Sequence, residues 1–365
     1  MFARTAFSAT FLHTRKANTM SKKSITVGNI KIGGGAAVSV QSMTNTNTAD
    51  PKKTIAQINA LAQAGCQIVR LAVPNSESAR AIYQIKSQTS LPIVADIHFD
   101  HRLALLALDA GVDKIRINPG NIGDSGRVRQ VVDSCRAKNV PIRIGVNGGS
   151  LEKDILAKHG HPTPQALVES ALGHVEILHR LDFDQICISI KSSDVRTTVD
   201  AYRLLAQTVD YPLHLGVTET GVPEHGIVKS TVGIGSLLYL GIGDTIRVSL
   251  TDDPVREVAV GRSILKSLGL ATGGIDIISC PTCGRCKLDI IGLVKQAGQR
   301  FSNIDKPLKV AIMGCVVNGP GEAKEADFGI AGGETDAILF EKGQIVGRVD
   351  YENILNALEE KIMNS

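Results

Sequence analysis

The sequence contains no tryptophan and only 4% aromatic residues, which leaves little material for the stacking platforms that hold single-stranded nucleic acids. Charge of one sign is scarce as well. Lys and Arg number 40 against 36 Asp and Glu, and this small surplus makes no nucleic-acid surface, though a local basic cluster still suits a small anion. No stretch of 18 apolar residues occurs, so no segment reads as a membrane span. Low-complexity tracts, solenoid-type repeats and a glycine-rich dinucleotide fingerprint are also missing. What is present is ordinary for a globular protein, with 43% hydrophobic and 21% charged residues. At 365 residues the chain exceeds what one core usually supports, so two domains are expected.

The seven cysteines are unevenly placed. Cys66, Cys135 and Cys187 stand alone in apolar contexts and read as core thiols. Cys280, Cys283, Cys286 and Cys315 cluster near the C-terminus. With no evident secretory signal, a cytoplasmic setting is expected, and clustering there favours metal over disulfides. Residues 1–19 contain Arg4, Arg15 and Lys16 but no acid, as organellar presequences do, while Met20 followed by Ser-Lys-Lys equally suits a bacterial start. Residues 1–23 are therefore expected to be a disordered or mis-assigned extension.

From residue 38 to about 269, short β-branched runs alternate with helical patterns. The runs cover 38–43, 67–73, 92–99, 114–119, 141–147, 185–191, 212–219 and 245–250. Eight strands, each followed by a helix, predict an α/β fold with an N-terminal (β/α)8 TIM barrel over 24–270. An open doubly wound sheet is the rival. ITVGNIKIGGG (25–35) predicts a small hairpin closing the barrel bottom. After a linker-like 271–276 the punctuation changes. Strands are expected over 308–314, 327–332, 337–340 and 344–349, with helices over 287–301 and 351–364, making a small α+β domain over 271–365.

Active sites of such barrels lie at the C-terminal ends of the strands. Those ends carry Asn45, Arg70, Asp96, His98, Arg116, Asn118, Arg143, Asn147, Lys191, Thr218, Glu219 and Ser249. Parallel strands covered on both faces should be nearly all apolar, and a cation inside one is costly unless paired. Pairing with Asp96, Glu219 and nearby acids accounts for any one of Arg70, Arg116, Arg143 and Lys191. It does not account for all four, and a surplus of fork-shaped donors suits a phosphate or diphosphate.

Cys280, Cys283 and Cys286 form a C-x2-C-x2-C run, and Cys315 lies in GCVVNGPGEA. By spacing, four thiolates suit a [4Fe–4S] cluster or zinc, and a redox dithiol is a third reading. Cys286 is the obvious fourth ligand by spacing. Glu322 is the alternative, and a displaceable carboxylate would leave one iron open to substrate, converting an electron carrier into a Lewis acid.

From residue 24 onward the chain resembles the 4-hydroxy-3-methylbut-2-enyl diphosphate synthases in their bacterial two-domain form. The likeness rests on VQSMTNT (40–46), VADIHFD (94–100), RINPGNIG (116–123), PIRIGVNGGSLEKD (141–154), RVSLTDDPVREV (247–258), CPTC (280–283) and GCVVNGPGEA (314–323). It implies a barrel related to pterin-binding enzymes, followed by a [4Fe–4S] domain of sulfite-reductase type. The implied reaction is reductive ring opening of 2-C-methyl-D-erythritol 2,4-cyclodiphosphate in the non-mevalonate isoprenoid pathway, with electrons from flavodoxin or ferredoxin. The resemblance further implies cluster ligands Cys280, Cys283, Cys315 and Glu322, with Cys286 an extra thiol. It assigns the diphosphate to Arg70, Arg116, Arg143 and Lys191, and the rest of the pocket to Asp96, His98, Asn147, Thr218, Glu219 and Ser249. Glu219 is the candidate proton donor, with His98 behind it. A head-to-tail homodimer is implied, in which one subunit's cluster domain caps the other's barrel. A pterin- or corrinoid-dependent methyltransferase with a structural zinc domain is the competing enzyme reading, and a redox sensor the non-enzymatic one.

Overall fold

The β-branched runs and amphipathic helices of the first 271 residues alternate in space as in sequence. A computed structural model describes residues 21–271, 273–302, 304–317 and 324–365, and the chain divides into two units at Ala271. A hairpin of β1 (Ser24–Val27) and β2 (Ile30–Gly33) comes first. Eight parallel strands follow: β3 (Ser39–Met43), β4 (Ile68–Ala72), β5 (Ile93–Asp96), β6 (Lys114–Ile117), β7 (Ile142–Asn147), β8 (Ile186–Lys191), β9 (His214–Leu215) and β10 (Thr245–Ile246). Their order is β8-β7-β6-β5-β4-β3-β10-β9, and a parallel bridge from Ile188 to Leu213 joins the two ends. The sheet thus closes into the expected barrel rather than an open doubly wound sheet.

Helices over 51–63, 76–87, 101–109, 125–138, 164–179, 195–208, 223–239 and 254–267 surround it. Most begin on a polar cap: Asp50, Asn75, Asp100, Asp124, Thr163, Asp194 and Asp253 each accept from a backbone N–H of the first turn. Each such cap is worth about 1 kcal/mol. Together they fix where seven of these eight helices begin on the face that carries the site; helix 223–239 starts at Val222 without a side-chain cap.

The apolar residues divide between two places. Outward-facing Val69, Leu71, Ile93 and Ile115 pack under the helices with Ile58, Leu61 and Ile82. Inward-facing Ile68, Val94 and Cys187 meet Ile25, Val27 and Ile32 of the hairpin, so the hairpin plugs the N-terminal end as expected. Cys66, Cys135 and Cys187 are all buried, and burial pushes the Cys66 thiol up to about 11. Ser21 and Lys23, placed by sequence in the extension, are already held: Gly34 N–H donates to Ser21 O at 3.1 Å and Lys23 N–H to Asp210 O at 3.0 Å. Lys22 pairs with Asp210 at 3.0 Å as well, and residues 1–20 of the expected extension lie outside those described.

β9 and β10 are much shorter than the runs 212–219 and 245–250 suggest. Arg247 N–H still donates to Leu215 O at 3.0 Å and Thr218 N–H to Ser192 O at 3.2 Å. Beyond those bonds the chain leaves the ladder to build the rim of the mouth.

The second unit has a five-stranded sheet of β11 (Asp276–Ser279), β12 (Lys309–Met313), β13 (Phe328–Gly332), β14 (Ala337–Glu341) and β15 (Gln344–Val349). β11 to β13 run parallel, and β14 and β15 pair antiparallel. Helices 290–300 and 354–363 contribute Ile290, Ala297, Ile354, Leu358 and Ile362 to a core with Val310, Ile312, Phe328 and Ile330. Sequence reading missed β11 because none of its four residues is fully buried, so the strand lacks the alternation that marks one. Among the described residues no helix is long and apolar enough to cross a membrane.

Candidate active site

In a strand, alternate side chains share a face, so Arg116 and Asn118 follow Lys114 into the barrel, Asn147 follows Arg143, and Lys191 follows Ser189. Arg116 and Arg143 are neighbours in the β6–β7 ladder, as are Asp96 and Arg116 in β5–β6. Two inward glycines make room for the long cations. A Cβ on Gly145 would lie 2.2 Å from Arg116 Nε, and one on Gly216 would lie 2.6 Å from Lys191 Nζ. The structure therefore gathers Arg70, Asp96, Arg116, Arg143 and Lys191 into one interior, as the strand-end reading expected.

Asp96 is the carboxylate at the centre of this group and is 6% exposed. Arg116 Nη1 donates to it at 3.3 Å, His98 Nε2 lies 3.3 Å away and Arg70 Nε 3.8 Å. Burial by itself would raise this carboxyl, but Arg70, His98 and Arg116 outweigh it and hold it far below the usual range. The cations are less well served. Arg116 Nη2 donates to Gly145 O at 2.6 Å and Arg143 Nη1 to Ser189 Oγ at 2.6 Å. Arg116 Nε, Arg143 Nε and Arg143 Nη2 are buried without a hydrogen-bond partner. Burial, then Arg70 and Arg116, push Arg143 down to about 9. Burial, then Arg143, Arg247 and Arg70, pull Lys191 well below its ordinary value. The interior is short of negative charge, and its unpartnered donors suit an anion with several oxygens.

The balance makes Asp96 a stability residue as well as a positioning one. Its folded pKa is depressed, so its contribution is complete above the unfolded value near ~4 and is lost as pH falls toward the folded value. Asp96→Asn is expected to cost about 3–5 kcal/mol at neutral pH, the usual result of removing one partner from a buried pair. Urea melts should show the wild type losing its advantage over the variant between pH 5 and 2. Parallel losses in both proteins over that window would count against this role.

The rim is built from loops. His98, Phe99, Arg116, Asn118, Asn121, Asn147 and Ser150 line a cavity of about 430 Å³. Asn147, Gly148, Gly149, Ser150, Ser192, Thr218 and Glu219 line another of about 460 Å³ that shares Asn147 and Ser150 with it. Asn118 Oδ1 accepts from Gly145 N–H at 2.9 Å, fixing the end of β6 against β7. His174, buried on helix 164–179, accepts Gly120 N–H on Nδ1 at 3.3 Å and meets Glu152 at 2.8 Å through Nε2. One imidazole thus ties the rim loops after β6 and β7 together. Asn45 does not join the site; its side chain accepts from Gln57 Nε2 at 2.6 Å.

Sequence reading missed three polar residues in this interior. Arg247, two positions before Ser249 on the same face of its run, sits 3.3 Å from Glu257, which also accepts Leu250 N–H at 2.9 Å. Lys114 Nζ and both ring nitrogens of His214 are buried without partners. Burial pushes Lys114 down to about 8 and His214 well below its ordinary value. A cation inside a parallel strand is the signal that marks Arg247 and Lys114, the same one that marks Arg116 and Arg143.

In the second unit the cysteines stand at strand ends. Ser279 pairs with Ile312 in the β11–β12 ladder, so Cys280 and Cys315 both follow the C-terminal ends of adjacent parallel strands. Gly314 N–H donates to Cys280 Sγ at 3.2 Å. Cys286 Sγ instead donates to Leu288 O at 3.1 Å. A Cβ on Gly314 would lie 2.5 Å from Cys286 Sγ and 3.6 Å from Cys280 Sγ, so only glycine fits between these sulfurs. Cys283 is exposed on the turn between them. Among the described residues no three His, Cys, Asp or Glu side chains converge as a metal site, and Glu322 lies outside those residues.

Comparison with known proteins gives matches to two family models, the GcpE TIM-barrel domain over residues 22–262 and the GcpE protein C-terminal domain over 276–364. Among curated proteins, 4-hydroxy-3-methylbut-2-en-1-yl diphosphate synthase (flavodoxin) of Geobacter sulfurreducens is 58% identical, covering 92% of this chain and 95% of its own. The protein of the same name from Caldanaerobacter subterraneus subsp. tengcongensis is 56% identical over 93% and 96%, and that from Clostridium perfringens 56% over 93% and 98%.

Proposed function

The chain belongs to the GcpE family of 4-hydroxy-3-methylbut-2-en-1-yl diphosphate synthases, and on that premise we propose that its barrel mouth holds the diphosphate of a cyclic substrate while the cysteines hold a [4Fe–4S] cluster. The reaction is the reductive opening of 2-C-methyl-D-erythritol 2,4-cyclodiphosphate, an oxidoreductase step of the non-mevalonate isoprenoid pathway. Two electrons and two protons enter, the ring C–O bond to phosphate breaks, and the neighbouring hydroxyl leaves as water. The observation that carries the reading is the surplus of buried cations over carboxylates in the barrel interior.

Arg70, Arg116, Arg143 and Lys191 bind the diphosphate, and Asp96 keeps the two nearest arginines in place. Asn147, Thr218 and Ser249 supply neutral contacts for the hydroxyl groups of the carbon skeleton. Glu219 holds or delivers a proton at the rim, with His98, 3.3 Å from Asp96, as the second candidate.

Cys280, Cys283 and Cys315 suit the cluster. The N–H bond to Cys280 Sγ is the kind a ligating sulfur accepts, whereas Cys286 Sγ is already engaged with the carbonyl of Leu288. Glu322 completes the set as a displaceable carboxylate. Once bound, such a cluster supplies electrons one at a time. Flavodoxin, which the relatives carry in their names, or ferredoxin is the donor, in a cytoplasmic setting where thiols stay reduced. A head-to-tail homodimer belongs to the same reading, since a second subunit provides a lid that excludes water.

Anaerobic reconstitution with iron and sulfide, followed by assay on the cyclodiphosphate with a reduced donor, is the test. About four irons per chain with turnover are expected. One tightly held zinc and no turnover would sink the proposal in favour of a structural zinc domain.

A further inference from the structure

Glu219 has an unusual backbone for its side chain. Its φ is +53°, a left-handed conformation that non-glycine residues seldom adopt outside constrained sites. Gly221, two residues on, is also left-handed at φ +82°. The segment 218–221 thus holds two left-handed residues, and the one that is not glycine must be held there by its surroundings.

Two anchors hold it. On one side Thr218 N–H donates to Ser192 O at 3.2 Å, tying the segment to the loop after β8. On the other, Thr220 Oγ1 donates to Ser249 O at 2.6 Å, tying it to the loop after β10. Thr220 is 4% exposed, while Glu219 beside it is exposed at the rim and lines the cavity shared with Asn147 and Thr218. The space for Thr220 is made by a glycine of helix 223–239: a Cβ on Gly226 would lie 2.8 Å from Thr220 Oγ1 and 2.8 Å from Leu250 Cδ2. The same hydroxyl occupies the carbonyl of Ser249, whose own Oγ is buried without a partner.

We infer that Thr220 is a positioning residue for the reaction: its hydroxyl, clamped between Gly226 and Ser249 O, holds Glu219 in its left-handed conformation and fixes the backbone of Ser249 beside it. This rests on Glu219 acting at the substrate. A methyl in place of the hydroxyl leaves the volume and removes the clamp, so the carboxylate loses its fixed direction while the cations that bind the diphosphate are untouched.

The test uses the reconstituted holoenzyme. Thr220→Val is expected to lower kcat roughly 30-fold, within the range that misplacing a reacting group by about 1 Å produces, with KM within about threefold and iron content unchanged. Thr220→Ser, which restores the donor, should recover most of kcat. In a Glu219→Gln background, Thr220→Val should cost little more, because the two act through one group. Full kcat in Thr220→Val, or equal loss in the valine and serine variants, overturns the inference. Equal cost of Thr220→Val with and without Glu219 also overturns it. Full activity of Glu219→Gln would instead remove the role given to Glu219, a separable result. Should Thr220→Val not fold, Gly226→Ala displaces the hydroxyl without deleting it, and unchanged kcat there likewise overturns the inference.

Discussion

Cys280→Ser is expected to abolish turnover and strip the protein of iron, whereas Cys286→Ser keeps the iron and most of the activity. The two residues are alike by spacing, since each stands three positions from Cys283. Their hydrogen bonds separate them. Cys280 Sγ is an acceptor, facing Gly314 N–H at 3.2 Å, and an acceptor sulfur is the state a metal ligand needs. Cys286 Sγ is a donor to Leu288 O at 3.1 Å, a contact that commits this sulfur to the backbone. Serine is a poor substitute for a soft ligand and a good one for a small hydrogen-bond donor, so the same replacement should have opposite consequences at the two positions. Cys315→Ser and Glu322→Ala should behave like Cys280→Ser in turnover, with a loss of at least about 10³-fold if the residue belongs to the reacting unit. Iron analysis and the visible absorption of the reconstituted protein read the outcome. Loss of iron in Cys286→Ser would return the fourth position to a thiolate and make the centre a closed electron carrier.

How much of this was legible in the sequence varies with the physics of each feature. The barrel was legible because its strands are buried on both faces and read as continuous apolar runs. For the same reason Arg70, Arg116, Arg143 and Lys191 stood out. Arg247 and Lys114 break the same pattern and were equally legible. β11 was not legible, since four partly exposed residues have no inside and outside to alternate. Nor was Thr220: its importance lies in a bond to Ser249 O, 29 positions away, and a threonine after Glu219 carries no local signal. The tie between Gly120 and Glu152 through His174 is of the same kind. Loops that converge on one rim come from distant parts of the chain, and only the closed barrel brings them together.

Arg143→Met should separate binding from stability by moving them in opposite directions. Arg143 is 1% exposed, with Nη1 bonded to Ser189 Oγ at 2.6 Å and with Nε and Nη2 unpartnered. Burial and the charges of Arg70 and Arg116 all act against its ionised form, and Asp96 compensates only in part. In the ligand-free protein this is a buried cation held at a cost. Replacing a cation that the fold leaves without a close counter-charge by a well-packed apolar side chain of similar length relieves its desolvation cost, an effect on the order of 1 kcal/mol or more. Ser189 Oγ keeps its bond to Ile144 O at 3.2 Å, so little is orphaned by the change. The thermal midpoint without ligand is therefore expected to rise, by roughly 2–4 °C for each kcal/mol gained. Diphosphate binding should fall, because a charge-assisted hydrogen bond worth about 1.5–3 kcal/mol is lost, which is roughly 10- to 150-fold in affinity. Calorimetry with inorganic diphosphate, and KM for the cyclodiphosphate, measure the second effect; melting of the ligand-free protein measures the first, and iron content should not change. A lower midpoint with undiminished affinity would make Arg143 a structural residue and leave the surplus charge of the interior without a ligand to explain it. The opposed outcome is the signature of a residue kept in a strained electrostatic position because the substrate, and not the fold, supplies its counter-charge.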